Sequence, residues 1–107
     1  MIRAMTDTTI IVPIGNFTLD LSRRVREAAS QTAKERGVVI SLQSTKHHSW
    51  SALCELAEWL RATVTPYPVR LANALPCTRA LLRELGVDST SFSKSALAEA
   101  TARIWVV

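Results

Sequence analysis

The chain has 107 residues, of which 48% are hydrophobic and 21% charged, with a formal net charge of +4. That length holds one domain with one core, burying roughly two-thirds of the surface an unfolded chain exposes, and the composition excludes a disordered chain. The longest aliphatic runs, such as Ile10 to Val12, fall far short of the ~20 apolar residues of a membrane span. Met1 to Thr9 lacks the hydrophobic run of an export signal, so a cytoplasmic protein is expected.

Thr9 to Ile14 is β-branched and apolar on both faces, the pattern of a buried strand, with Pro13 marking a sheet edge or a strand end. Gly15-Asn16 then turns the chain. From Leu21 to Arg36 the positions Leu21, Val25, Ala28, Ala29, Thr32 and Ala33 recur at helical spacing, with Asp20 or Ser22 as N-cap and Gly37 just past the end. Val38 to Leu42 is a short interior strand, followed by the polar stretch Gln43 to His48. A second helix starts near Ser49, whose hydroxyl can cap it, and turns Leu53, Leu56, Ala57 and Leu60 inward. Thr65-Pro66-Tyr67-Pro68 stops it and leads to a third strand, Val69 to Asn73. Pro76 opens another helix with Cys77, Leu81 and Leu85 as its buried stripe and Gly86 at its end. A last helix is expected from about Ser93 to Arg103, offering Leu97, Ala100 and Ile104 to the core. This alternation predicts a single-domain α/β fold over residues 1 to 107, a mainly parallel sheet with about four helices joined by right-handed crossovers. Neither linkers nor internal repeats divide it.

The chemistry-bearing residues are few. The two cysteines, Cys54 and Cys77, sit in apolar helical patterns and read as buried free thiols rather than a disulfide or redox pair. His47-His48 lacks a CxxC, HxxxH or carboxylate partner to complete a ligand set, so no metal or other cofactor is expected. Paired catalytic groups and a glycine-rich phosphate loop are both missing from the sequence, since Gly15, Gly37 and Gly86 each suit a turn or helix end. Glu55 and Glu58 read as outward charges available to Lys or Arg neighbours. The charge is spread from Arg3 to Arg103, and its one concentration, Arg23, Arg24 and Arg26, shares a helix surface with Glu27 and Glu35. A solvated face is preferred there to a phosphate-binding site.

Several local patterns in this order resemble the STAS domain, the family named for sulfate transporters and anti-sigma factor antagonists. Ile11 to Thr18 is similar to the family's opening strand and Gly-x-Leu-Asp turn, with Gly15 in place and Phe17-Thr18 replacing Leu-Asp. Val38 to Leu60 matches the central strand and second helix, and Val69 to Asn73 with Arg79 to Val87 resembles the later strand-and-helix signature. The resemblance spans roughly residues 9 to 104.

The resemblance implies a non-catalytic binding module that regulates a partner protein, a kinase-type anti-sigma factor or a related STAS assembly, in bacterial signalling and transcription regulation. In that family the second helix opens on Asp-Ser-Ser/Ala-Gly-Leu, and a partner kinase phosphorylates the first serine, adding charge that breaks the interface. The matching segment here is Ser49-Trp50-Ser51-Ala52-Leu53. Trp50 stands at the acceptor position and Ser49 replaces the Asp, so the usual switch is missing. Ser51 or Ser49 could accept phosphate in the first helical turn. The preferred reading is that Ser49 caps the helix and Ser51 is solvated. Trp50 is either an exposed anchor for a partner or packed over the sheet edge. Trp59 reads as partly buried packing.

The expected recognition surface is therefore His47, His48, Ser49, Trp50, Ser51 and Leu53. Two alternatives remain: a cytoplasmic STAS subunit of a lipid-transporting ABC system, and a basic nucleic-acid-binding module, the latter disfavoured by the dispersed charge. A homodimer is also compatible with the sequence.

Overall fold

The computed structural model describes residues 8–87, 89–90 and 103–106. In chain order the elements are β1 (Thr8–Val12), β2 (Gly15–Phe17), α1 (Leu19–Thr32), β3 (Gly37–Ser41), β4 (Thr45–His48), α2 (Trp50–Ala62), β5 (Val69–Ala72), α3 (Pro76–Glu84), β6 (Ser89–Thr90) and β7 (Arg103–Val106). Five strands form one sheet in the order β6-β5-β3-β1-β7, every pair parallel, and β2 and β4 form a separate parallel pair. The expected α/β class with a mainly parallel sheet is what the chain forms. Three helices stand among the described residues; the expected fourth, from Ser93, falls on residues 93–102, outside them.

Each step β1 to β3, β3 to β5 and β5 to β6 moves one place across the sheet in the same direction. Right-handed crossovers then put α1, α2 and α3 on one face. The register sets Ile11 opposite Ile40 and Ile40 opposite Leu71, and this row packs with Val25, Ala29, Leu53, Leu56 and Leu82 in the main core. Ile10, Val39 and Ala72 alternate to the other face and form a second, smaller buried cluster.

Local chemistry moves several boundaries. Helix α1 begins before Leu21 because Thr18, not Asp20 or Ser22, is the N-cap, its hydroxyl accepting from Leu21 N at 3.3 Å. It ends at Thr32, and Gly37 opens β3 instead of closing the helix. Strand β1 stops at Val12 before the buried Pro13, while Ile14 is exposed, contrary to the expected buried strand. Gly15 takes φ +91°, a turn conformation that favours glycine, and leads directly into β2.

In α3 the buried residues are Thr78 and Leu82, whereas Cys77 and Leu81 are exposed. The inward face is thus rotated by one position, about 100° on an α-helix, from the stripe its apolar residues suggested. The cysteines are free but not buried as expected: Cys54 is half-buried and Cys77 exposed. Arg103–Val106 is a strand beside β1, with Thr9 opposite Arg103 and Val12 opposite Val106, where a helix end had been expected.

Candidate functional site

Open parallel sheets place ligand and partner sites beyond the carboxyl ends of their strands. Here that edge carries the β2–β4 pair and the start of α2. Gly15 N donates to Ser44 O at 3.1 Å and Ser49 N to Phe17 O at 3.1 Å, so β2 runs beside β4 and ties it to the first turn of α2. Phe17 is fully buried beneath this corner and its ring lies 6.1 Å from that of His48. The stretch expected as a polar loop is in part a short strand held by these long-range bonds.

His48 is the hub. Thr45 Oγ1 donates to Leu42 O at 2.7 Å and lies 2.7 Å from His48 Nε2. Its hydrogen is committed, so it accepts from Nε2–H. That places a hydrogen on Nε2, and in the neutral ring Nδ1 accepts from the Thr78 hydroxyl at 3.1 Å. Burial, with the neighbouring His47 charge adding to it, pushes the His48 pKa below its ordinary value of 6.5. One side chain thereby joins β4 to the first turn of α3, with Thr45 4% and Thr78 2% exposed. Buried this way, Thr78 braces the corner and is closed to a substrate.

The predicted surface residues part company around this hub. His47, Ser49, Trp50 and Ser51 are exposed and contiguous, His48 is half-buried, and Leu53 is 1% exposed. Leu53 belongs to the core, so its expected place among the contact residues is corrected: it seats α2 and does not reach a partner. Ser49 is the N-cap, its Oγ accepting from Ala52 N at 3.4 Å, and Ser51 is solvated. Of the two readings of Trp50, the structure takes the exposed one, with 53% of the residue open to solvent.

Thr45 and Thr78 were missed because neither carries a motif and Thr78 lies thirty positions from His48. Nearby, Asn73 takes φ +57° at the end of β5 and its Nδ2 donates to Ser41 Oγ and Gln43 Oε1, each at 3.4 Å, linking the ends of β3 and β5.

On the helix side, Arg24 pairs with Asp20 at 3.5 Å, Arg23 lies 3.6 Å from Glu55, and Arg26 donates to the same Glu55 carboxylate. Glu55 pairs with arginine neighbours as expected, and the pairs bridge α2 to α1. The basic concentration is therefore tied to carboxylates, an arrangement that leaves little positive field for a phosphate backbone. No helix of the described residues is long and apolar enough to cross a membrane. No protein-family model matches the chain, and no curated protein or solved structure matches it. The STAS resemblance accordingly rests on the residues quoted for it above.

Proposed function

We propose that the chain is a non-catalytic, STAS-like protein-interaction module, similar to an anti-sigma factor antagonist, acting in the cytoplasm on a kinase-type anti-sigma factor or a STAS assembly. It meets that partner through the corner formed by β4 and the first turn of α2, without a serine phospho-switch. The observation that carries the reading is Trp50: a large indole left 53% exposed at the start of a helix whose Ala52, Leu53, Leu56 and Ala57 are buried. Tryptophan is the residue type most enriched at binding hot spots, and its rigidity keeps the ordering cost of contact low.

The surroundings support the same role. The His48, Thr45 and Thr78 bonds fix the backbone under Trp50, so the indole is presented by a braced surface. Ser49 spends its oxygen on capping, which favours a structural use over phosphate acceptance.

The test is affinity capture of the tagged protein from its own cell lysate, with mass spectrometry reading both the captured proteins and phosphate on Ser49 and Ser51. Recovery of an ATP-binding anti-sigma kinase, with both serines unmodified, is expected. Recovery of permease and ATPase subunits would move the protein to a lipid-transport assembly, and stoichiometric phosphate on either serine would overturn the unswitched reading.

A further inference from the structure

The end of the sheet opposite His48, where β3 and β5 begin, carries an exposed apolar tip in the connection from α2 to β5. Val64 is 95% exposed and Tyr67 45%, and Pro66 and Pro68 on either side of Tyr67 also face solvent. This tip is held firmly. Tyr67 N donates to Ala33 O at 3.1 Å, Pro68 O accepts from Val38 N at 3.0 Å, and the Thr65 hydroxyl donates to Tyr67 O at 2.6 Å. The two prolines fix their own φ angles as well. The loop therefore presents its apolar side chains with little backbone freedom left to lose on contact.

The same hydrogen bonds set the turn between α1 and β3 beside the loop. Residues 33–37 and 61–70 together carry Lys34, Arg36, Arg61 and Arg70 against one carboxylate, Glu35, with Glu58 a turn further up α2. Lys34, Arg61 and Arg70 are exposed and Arg36 is half-buried. None of the four makes an ion pair among the described residues, in contrast to Arg23, Arg24 and Arg26. A braced apolar tip flanked by such cations is complementary to a surface that is negative at its face and apolar within. An anionic bilayer has that form: tyrosine settles at headgroup depth, an aliphatic side chain reaches the acyl boundary, and cations gain from the negative surface potential. A protein partner fits less well, because a tip of four side chains falls far short of the ~800 Å² per partner of a stable interface. We propose that residues 64–68 dock the protein on an anionic lipid surface, Val64 and Tyr67 entering the headgroup layer and Lys34, Arg36, Arg61 and Arg70 meeting the acidic lipids around them. Trp50, at the other end of α2, stays open to its own partner.

The experiment is flotation of the full chain with vesicles of phosphatidylcholine containing about 30% phosphatidylserine at low salt. Binding is expected, falling by roughly fivefold or more on vesicles of phosphatidylcholine alone. The double variants Val64→Ser with Tyr67→Ser, and Arg61→Gln with Arg70→Gln, should each lose roughly fivefold or more on the mixed vesicles. All four side chains are exposed, so both variants should keep the wild-type denaturant midpoint. Trp50→Ala should bind the mixed vesicles as the wild type does. No binding to the mixed vesicles, or equal loss in Trp50→Ala, would overturn the proposal. Undiminished binding of the Val64→Ser, Tyr67→Ser variant would do the same, by reducing the effect to net charge. So would loss of a protein partner from that variant in the absence of vesicle binding, which would make the tip a protein contact.

Discussion

The two ends of α2 carry opposite chemistry on one rigid rod. At its start Ser49 and His48 spend their polar groups on neighbours, and the large apolar group left exposed in α2 is the Trp50 indole. At its finish Leu60 and Arg61 border a notch with Val69 and Val87, and among the described residues the Arg61 guanidinium makes no ion pair. A surface whose hydrogen bonds are already used recognises by shape and apolar contact, which suits a protein partner. A cation in that position recognises by charge.

The largest change should come from the rod between them. Leu56 is fully buried against the sheet, and Leu56→Ala is expected to lower the unfolding free energy by about 2–5 kcal/mol, read by denaturant titration. Both ends should lose definition together. Thr78→Val comes next: it keeps the shape but removes the hydroxyl that bonds His48 Nδ1, and about 1–3 kcal/mol should be lost. That substitution weakens the start of α2 and leaves the notch at its finish intact, separating the two ends.

The hub also predicts a pH dependence. The folded protein holds His48 below its ordinary pKa of 6.5, so the unfolded chain binds the proton more readily. This contribution to stability is present above pH 6.5 and is lost as pH falls through the lowered folded value. The denaturant midpoint should therefore drop from about pH 7.5 to 5.5, and the drop should shrink in His48→Gln. The smallest stability effects are expected at the exposed tips. Trp50→Ala and Arg61→Gln should each stay within about 0.5 kcal/mol of the wild type in unfolding free energy.

The pattern of residues announced β1 and β3 as β-branched runs, β5 by its place after the Pro-rich turn, and α1 and α2 as periodic apolar stripes. It could not announce β2 and β4. Gly-Asn-Phe and Thr-Lys-His-His have no strand pattern of their own, and pairing brings them together across the whole of α1 and β3. In α3 hydrophobicity alone favoured Cys77 and Leu81, but the fold buried Thr78 in their place because its hydroxyl had a partner thirty residues upstream. Arg103 reads as the end of an alanine-rich helix, but Arg103–Val106 pairs as a strand along the open edge of β1. For the site, the sequence singled out His47 to Ser51 from its place after a strand but left the exposure of Trp50 open, and His48 is half-buried. The threonines that hold it were not, since a hydrogen bond between distant residues leaves no local trace.

The account turns on the start of α2 being the contact surface and its finish being independent of it. A calorimetric titration of the captured partner against wild type, Trp50→Ala and Arg61→Gln, each verified as folded, tests this most directly. Affinity at least tenfold weaker for Trp50→Ala, with Arg61→Gln within twofold of the wild type, is the predicted result. Wild-type affinity in Trp50→Ala would contradict it.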